Sequence, residues 1–404
     1  MDFLYQRALK PLLFKCNPEV MHDLFVAVGE FSGRFWVLRK LFALIYGYRG
    51  PDISKTIDGI TYRTPILLSA GFDANGELTC ILPSLSFGGE EIGSTTAHPC
   101  EGNPRPRLTR LIRNKSLVVY KGLRNHGVDA LINKLKRTPR TPGYVLGISI
   151  ARTNEPEAST DVEAGIRDYA ESFQKLAAAG VGDYFTINIS CPNSYTGETF
   201  IKPELFAQLM PRLMEIPHTQ PVYIKMPINI PWEQFSALLA IADRNGVQGV
   251  IIGNLNKDYS HLNHPEDAPK EFRGGLSGTP TFKLSNELIA KTREAYGKRF
   301  TIIGTGGIFT PEDAMAKFDA GADLIQLVSG MIFEGPSGWG KELDDENALV
   351  LWKINRAMEG VAKSPVLQAQ IAAMQAQIQS AAAPRPRGRP RKDNGGAAAA
   401  ERTA

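Results

Sequence analysis

A thiol lies among short polar side chains at the end of a predicted strand. Residues 184–188 form the strand, and its last residue opens the sequence Asn188-Ile189-Ser190-Cys191-Pro192-Asn193. A cysteine whose pKa lies near the working pH can act as a general base or as a nucleophile. Asn188 and Asn193 supply donors and acceptors suited to an amide-bearing heterocycle, and Pro192 stiffens the turn. We interpret Cys191 as a catalytic group, with a buried structural cysteine as the alternative.

Two further polar residues close predicted strands. Lys225 interrupts the apolar run 222–226, and Asn254 follows the apolar run 249–253. A lysine in such a run must find an anion, either inside the protein or on a cofactor, and we favour the cofactor. The spacing of His261 and His264 could suit a metal, but no supporting carboxylate or histidine accompanies them, so we predict solvated histidines and no metal site.

Glycines follow three of the predicted strands. They lie at 304–307, at Gly330 beside Ser329, and at 274–278. Glycine allows backbone N–H groups to approach phosphate oxygens closely, and the loops after the seventh and eighth strands are the recurrent phosphate site of one barrel fold. These loops predict a phosphorylated cofactor.

The elements that must position these residues alternate between strand and helix. Eight short apolar runs are predicted strands: 66–70, 90–93, 144–150, 184–188, 222–226, 249–253, 301–304 and 324–328. Amphipathic segments such as 161–179, 232–245 and 311–319 lie between them and are predicted helices. Eight such repeats over about 300 residues favour a closed (β/α)8 TIM barrel, an α/β fold whose active site lies on the loops after the strands.

The first 50 residues are rich in large apolar side chains. Charged residues interrupt them, so no membrane-spanning helix is predicted, and Asn17-Pro18 marks a helix start. Two or three amphipathic helices with surplus apolar surface follow from this pattern. They form either a cap on the barrel, which is predicted for residues 51–362, or a port that lies on a membrane surface.

The C-terminal residues differ from the rest of the chain. Residues 363–383 have one apolar seam and predict a short amphipathic helix, whereas 384–404 are low in complexity and predict a disordered tail. The formal net charge of +4 belongs entirely to that tail, because the 383 residues before it carry 40 basic and 40 acidic groups. A balanced body argues against a nucleic-acid-coating protein.

Composition narrows the class of protein further. The chain of 404 residues is 43% hydrophobic and 22% charged, which is typical of a globular protein. Its four cysteines include no Cys-x-x-Cys pair, which favours a reducing compartment and argues against structural zinc. The N-terminus lacks the layout of a signal peptide.

These motifs together resemble those of the dihydroorotate dehydrogenases, FMN-dependent TIM-barrel flavoproteins of pyrimidine biosynthesis. The resemblance covers about residues 10 to 340. It rests on Ala70-Gly71-Phe72-Asp73, Asn188–Asn193, Gly274–Gly278, Ile303–Ile308 and Val328-Ser329-Gly330. The N-terminal segment, with His22, is similar to the extension of the membrane-associated, quinone-using branch. The resemblance implies an oxidoreductase that oxidises dihydroorotate, with Cys191 as the base, a hydride passing to the flavin and a quinone reoxidising it.

The resemblance also assigns individual positions. FMN would contact eleven residues: Ala70, Gly71, Ser94, Ser149, Asn188, Lys225, Gly253, Gly278, Gly307, Val328 and Ser329. Three amides would bind the substrate ring: Asn188, Asn193 and Asn254. His22 and Arg110 would lie at the inner end of a quinone tunnel. The implied location is peripheral, on the cytoplasmic side of the inner membrane or at the mitochondrial inner membrane in a eukaryote.

Several positions depart from the family pattern on the substrate side. Ala74 stands where the family has a lysine, Val119 replaces an amide, and Leu255 replaces a polar residue. On the flavin side Ser149 replaces an asparagine, and the quinone-using branch usually has serine where this chain has Cys191. Two or three lost substrate contacts would weaken dihydroorotate recognition by roughly 10²–10⁴-fold unless Lys121 or Arg124 substitutes. The alternative is a related flavin enzyme acting on a different, less acidic heterocycle.

A second resemblance concerns the tail. Residues 385–391 read Arg-Pro-Arg-Gly-Arg-Pro-Arg and resemble an AT-hook, whose core enters the narrow minor groove of A·T-rich DNA. DNA is therefore a possible partner of residues 384–404, and a solvated basic tail is the alternative.

Overall fold

The structure is a computed structural model that describes residues 5–155, 161–195, 198–271, 273–335, 354 and 358. Residues 1–359 form one compact unit. The predicted helix 363–383 and the basic tail 384–404 lie outside the described residues.

Eight parallel strands close into a barrel. In spatial order they are β10, β12, β13, β3, β4, β7, β8 and β9, and β9 pairs with β10 to close the circle. Their bounds are β3 Ile66–Leu68, β4 Gly89–Thr95, β7 Val145–Ile150, β8 Tyr184–Asn188, β9 Val222–Met226, β10 Gly249–Ile252, β12 Thr301–Thr305 and β13 Leu324–Leu327. Every residue of these strands is buried, as expected for a parallel sheet covered on both faces.

Helices surround the barrel. Their bounds are α3 Val128–Arg137, α4 Val162–Ala179, α5 Pro203–Met214, α6 Trp232–Arg244, α7 Thr279–Tyr296, α8 Pro311–Asp319 and α9 Ser329–Glu334. Their apolar faces form the main core with the outward side chains of the strands. Asp161 caps α4 by accepting from Ala164 N, and Thr310 begins α8 in a capping box with Asp313.

A short hairpin closes the N-terminal end of the barrel. It consists of β1 Lys55–Ile57 and β2 Ile60–Tyr62, which pair antiparallel. Tyr62 packs with Tyr184 and Tyr223 in a second core inside the barrel, and Ile57 and Ile60 pack against that core. The accessible cleft therefore lies at the opposite end, where the strands finish.

A three-stranded antiparallel sheet is built from the loops at that opposite end. It comprises β5 Leu108–Leu111, β6 Ser116–Val119 and β11 Gly275–Leu276, with β6 in the middle. Gly275 pairs with Val119, so the sheet joins the loop after β4 to the loop after β10.

Two longer helices precede the barrel, α1 Pro18–Arg34 and α2 Trp36–Tyr46, and before them lie a π-helical segment Tyr5–Leu9 and a single helical turn Lys10–Leu13. Asn17 caps α1 by accepting from Glu19 N and Val20 N, with Pro18 in the first turn. These helices expose an apolar surface made of Val20, Leu24, Phe25, Val28, Phe31, Phe35, Trp36, Val37, Leu41 and Leu44. Within the described residues, no helix has both the length and the apolar character needed to cross a membrane.

The structure confirms the predicted fold class. All eight predicted strands are present, and the three predicted helices agree to within a residue. The β1–β2 hairpin and the sheet of β5, β6 and β11 were not predicted. The boundaries proposed for the four segments of the chain stay a prediction.

Candidate active site

One cleft at the C-terminal ends of the strands brings together most of the predicted site residues. It is lined by His22, Ala70, Gly71, Ser94, Asn188, Cys191, Asn193, Lys225, Gly253, Asn254, Gly278, Gly307, Val328 and Ser329. Ser149 and Arg110 do not line it. The Ser149 hydroxyl lies 2.7 Å from Ser94 Oγ, directly behind the wall.

Arg110 lies at the base of the N-terminal segment. Its Nη1 donates to Cys16 O at 2.8 Å, and its guanidinium lies 4.9 Å from the ring centre of Phe14. Burial lowers the pKa of this guanidinium. The side chain therefore ties the segment before α1 to strand β5, and the expected role of Arg110 toward a quinone stays a prediction.

Cys191 follows β8 in a turn whose backbone is held from both sides. Tyr169 donates its hydroxyl to Asn188 O at 2.7 Å, and Asn103 Nδ2 donates to Asn193 O at 2.6 Å. Burial raises the pKa of the Cys191 thiol, while a backbone hydrogen bond at Asn193 opposes the rise. The thiol thus stays protonated at neutral pH until a substrate or a local change favours the thiolate.

Hydrogen bonds fix the orientation of the three predicted amides. Asn188 Nδ2 donates to Ser94 Oγ at 2.8 Å, and Asn254 Nδ2 donates to Asn188 Oδ1 at 3.3 Å and to Ser190 Oγ at 3.1 Å. Asn193 Oδ1 accepts from Gly275 N at 2.9 Å, which leaves its NH₂ group as the donor for a ligand. Each amide therefore presents a defined group to a planar ring.

Lys225 is buried at the floor of the cleft. Its Nζ donates to Ser69 Oγ and to Gln326 Oε1, both at 3.3 Å, and Gln326 Nε2 donates to Glu91 Oε2 at 2.8 Å. Burial lowers the pKa of the ammonium, and the charge of Glu91 opposes that shift. The network behind Lys225 escaped sequence reasoning because Glu91 and Gln326 lie 235 positions apart and carry no motif.

The glycine loops leave space only for backbone. Gly278 and Gly307 have φ values of +72° and +73°, and a Cβ on Gly307 would lie 2.5 Å from Phe282 Cβ. Ser277 Oγ and Ser329 Oγ lie 2.8 Å apart at the same end of the cleft. Closely approachable backbone and two hydroxyl groups suit a phosphate, so the residues present fit the phosphate of a flavin mononucleotide.

The N-terminal helices contribute one side of the cleft. His22 on α1 packs edge-on against Phe72, with ring centres 5.1 Å apart, and its Nε2 lies 2.9 Å from Phe72 O. Lys121 Nζ lies 3.1 Å from the same nitrogen. Burial and the neighbouring ammonium lower the pKa of His22, so its imidazole is neutral at pH 7. This side of the cleft thus presents a neutral imidazole between the Phe72 ring and the Lys121 ammonium.

Asp73 holds the loop that follows β3 at the edge of the cleft. Its carboxylate accepts from the backbone N–H groups of Glu77 at 2.9 Å and Leu78 at 2.7 Å. Burial and the nearby charge of Glu77 raise the pKa of Asp73 to about 7. Asp73 therefore fixes the position of Ala74, which lines the cleft.

Comparison with known proteins places this cleft in a family. A family model described as dihydroorotate dehydrogenase matches residues 52–346, which is most of the chain. The protein belongs to the dihydroorotate dehydrogenase family. A relative named dihydroorotate dehydrogenase (quinone), from Thermosynechococcus vestitus, is 33% identical over 347 residues, covering 82% of this chain and 93% of that protein. The relative of the same name from Brucella melitensis is 34% identical over 294 residues, 71% of this chain and 78% of that protein.

Solved structures of the family share the fold. The dihydroorotate dehydrogenase of Eimeria tenella, crystallised with ferulenol, superposes with a TM-score of 0.71 at 22% identity, covering 85% of this chain and 92% of that one. The ligand-free form of the same enzyme gives 0.69 at 24% identity, covering 84% and 93%. This agreement shows a shared fold over most of the chain.

The departures from the dihydroorotate dehydrogenase pattern face the same cleft. Ala74, Val119 and Leu255 line it, and so do Lys121 and Arg124. Small or apolar side chains thus line the cleft together with two cations, and Val119 pairs with Gly275 of the 274–278 glycine loop. Of the polar side chains expected to contact FMN, Ser94, Asn188, Lys225 and Ser329 line the cleft and Ser149 does not, whereas the positions expected to contact the substrate have a different distribution of charge.

Proposed function

We propose that this protein oxidises dihydroorotate to orotate in pyrimidine biosynthesis, with FMN as cofactor and a quinone as electron acceptor. The observation that carries the proposal is the single cleft that combines Cys191, three oriented amides and Lys225 with the phosphate-compatible glycine loops. The relatives named as quinone-dependent dihydroorotate dehydrogenases support the same substrate and acceptor.

Each group has a role in the proposed reaction. Asn188, Asn193 and Asn254 hold the substrate ring by its amide edges, and Cys191 removes a proton from one ring carbon. Bound FMN supplies a hydride acceptor for the adjacent carbon. Lys225 donates hydrogen bonds beneath the site and offsets negative charge there.

The N-terminal helices are the proposed route for the quinone. Their exposed apolar surface would lie on a membrane, and Arg34, Arg39 and Lys40 beside it suit lipid headgroups. His22 and Phe72, at the inner end, would contact the quinone head. The protein would then be peripheral, on the cytoplasmic side of the inner membrane, or at the mitochondrial inner membrane in a eukaryote.

A steady-state assay with dihydroorotate and a soluble quinone tests the activity. We expect turnover on the order of 10 per second, which is ordinary for an enzyme. Turnover a thousand times slower in a protein that carries its full content of flavin would reject dihydroorotate as the substrate.

A second candidate substrate is supported by Ala74, Val119 and Leu255, which remove polar groups from the substrate side. A dihydropyrimidine without a carboxylate would need fewer polar groups on the protein to bind it. Anaerobic mixing with a panel of reduced pyrimidines, followed by flavin bleaching, separates the two candidates. A neutral compound that bleaches the flavin faster than dihydroorotate would favour the second.

We also propose that the tail 384–404 contacts DNA. The argument rests on its sequence, since Arg-Gly-Arg-Pro at 387–390 matches the core that enters an A·T-rich minor groove. The barrel takes no part in this proposal.

A further inference from the structure

One ammonium group of the cleft faces no carboxylate. Lys121 Nζ lies 3.2 Å from Gly71 O and 3.1 Å from His22 Nε2. Within the described ranges, it belongs to no ion pair shorter than 4.0 Å. Burial lowers the pKa of this ammonium to about 8, and the charges of Asp23, Glu19 and Glu77 oppose the shift from a distance. A cation in such a position is stabilised by any anion that enters the cleft.

The histidine accepts from this ammonium in only one of its two neutral tautomers. A hydrogen on Nε2 would donate to Phe72 O at 2.9 Å, whereas a hydrogen on Nδ1 would donate to Asp23 Oδ1 at 3.3 Å and leave Nε2 as an acceptor. A protonated Nε2 cannot also accept from Lys121. With the hydrogen on Nε2, Gly71 O is the one acceptor among these two contacts of Lys121, and with the hydrogen on Nδ1 there are two acceptors. An ammonium has three N–H groups, so at least one is available to a ligand in either tautomer.

The other cations of the cleft are engaged elsewhere. Lys225 donates to Ser69 and Gln326, with Glu91 behind them. The Arg124 side chain is 47% exposed, and its Nη1 lies 3.8 Å from Asp23 Oδ1. Lys121, which is half-buried, is therefore the cation of the cleft best placed to receive a negative charge from a bound molecule.

The backbone of Lys121 is tied to the amide cluster. Lys121 O accepts from Asn103 N at 3.1 Å, and Asn103 Nδ2 donates to Asn193 O at 2.6 Å. Asn154 Nδ2 donates to the next carbonyl, Gly122 O, at 3.2 Å. These bonds fix Lys121 relative to Asn193, the amide proposed to hold the substrate ring. Ala74, which is short and uncharged, lines the cleft with Lys121.

We propose that Lys121 binds the carboxylate of the substrate and determines its specificity for an acidic ring. The inference rests on the proposed function and deepens it, because dihydroorotate and orotate each carry one carboxylate. The apolar residues Val119 and Leu255 then accept the uncharged part of the ring, and Lys121 supplies the charge-assisted hydrogen bond. Losing that bond weakens carboxylate binding by about 10- to 150-fold.

Equilibrium binding tests the proposal without turnover. Calorimetry measures the affinities for orotate and for its uncharged amide. The proteins compared are the flavin-loaded wild type and the variants Lys121→Met, Lys121→Arg and Arg124→Met. We expect the wild type and Arg124→Met to prefer orotate by about 10- to 150-fold, Lys121→Met to lose the preference, and Lys121→Arg to keep most of it. Equal preference in the wild type and Lys121→Met would overturn the proposal.

A pH series gives a second measurement that does not depend on the stability of Lys121→Met. The wild-type preference for orotate over the amide should fall about tenfold from pH 7 to pH 9, because the unliganded ammonium loses its proton near pH 8. Lys121→Arg should show no such fall. The groups around the ammonium are His22, Asp23 and Glu19 on α1, Glu77 after β3, and Arg124. A fall of equal size in Lys121→Arg would assign the titration to one of them and overturn the proposal.

Steady-state kinetics shows whether Lys121 acts on the substrate or on the quinone. Lys121→Met should raise KM for dihydroorotate and leave KM for the quinone unchanged. A rise confined to the quinone would place Lys121 at the acceptor and overturn the proposal. Failure of the proposed function would differ from both, because the wild type itself would bind neither orotate nor the amide.

Discussion

Burial of the Cys191 thiol determines the pH range in which it can act as a base. Its pKa is raised above the usual value, so below that pKa the thiolate fraction grows tenfold with each pH unit. The rate of flavin reduction by dihydroorotate should follow the same slope and level off above the pKa. The rate would therefore rise with pH across the neutral range.

Replacing the thiol tests this assignment. Cys191→Ser should shift the pH profile of flavin reduction upward and slow it at least 100-fold at pH 7, because a hydroxyl ionises at a much higher pH. Stopped-flow measurement of flavin bleaching gives both values. Cys80→Ser is the matched control, since burial also raises the pKa of that half-buried thiol but it does not line the cleft. An unchanged profile in Cys191→Ser would remove Cys191 as the base.

Sequence reasoning identified the residues that carry a motif and missed those that act through space. Lys225 could be found because it interrupts an apolar strand, and Cys191 because it lies in a cluster of short polar residues after a strand. Glu91, Gln326 and Asn103 could not, because their partners are distant in sequence and their own neighbours are unremarkable. The sequence shows that Lys121 is a cation. It does not show which groups surround the ammonium, because His22 on α1 and Gly71 after β3 are distant in sequence and meet it only in the folded chain.

At the scale of elements, the glycine loops contain positions that only glycine can occupy without strain. Gly307→Ala should weaken FMN binding at least tenfold, because φ is +73° and the new Cβ would lie 2.5 Å from Phe282 Cβ beside the proposed phosphate site. Fluorescence titration of the flavin-free protein with FMN measures the change. Gly180→Ala is the control, since it has φ of +62° but open space around it at the end of α4. Equal losses in both variants would point to general instability.

The two N-terminal helices make a different prediction. Phe31 and Trp36 are 58% and 60% exposed, and burying such side chains in a lipid interface contributes about 1.5–3 kcal/mol each. Phe31→Glu with Trp36→Glu should reduce binding to anionic vesicles at least 100-fold and leave turnover with a soluble quinone within twofold. Co-sedimentation with vesicles measures binding, and Trp36→Phe is the conservative control. Retained vesicle binding by the double variant would argue against this surface as the membrane contact.

The elements differed in how far the sequence predicted them. The eight barrel strands are short, mostly apolar and followed by helical periods, which is a strong local signal. The sheet of β5, β6 and β11 has strands of four, four and two residues, and one pairing joins Val119 to Gly275 across the barrel mouth. That pairing depends on the closed barrel, so no local pattern could reveal it. The N-terminal amphipathic helices and their surplus apolar surface were both predicted, but the side chains that face outward could be identified only from the packing.

In the molecule as a whole, the net positive charge lies in the C-terminal tail, and the rest of the chain is neutral. Residues 1–383 carry 40 basic and 40 acidic groups, and the surplus of four lies in 384–404. The proposed chemistry needs no basic outer surface, because Lys225 and Lys121 with the backbone of the glycine loops handle the anionic ligands inside the cleft. Activity and any contact with nucleic acid should therefore be separable by truncation.

Removing the tail tests that separation. The full chain should shift an A·T-rich duplex at about 150 mM salt, and a chain ending at residue 383 should not, because the cations that meet the phosphates and the minor groove lie in 384–404. Both forms should oxidise dihydroorotate at the same rate. Arg387→Ala with Arg389→Ala should abolish the shift, whereas Arg402→Ala, outside the motif, should weaken it only slightly.

A G·C-rich duplex distinguishes groove recognition from simple charge, since the motif reads a narrow A·T groove. Equal shifts on both duplexes would leave only a basic tail, and identical behaviour of the full and truncated chains would reject DNA as a partner.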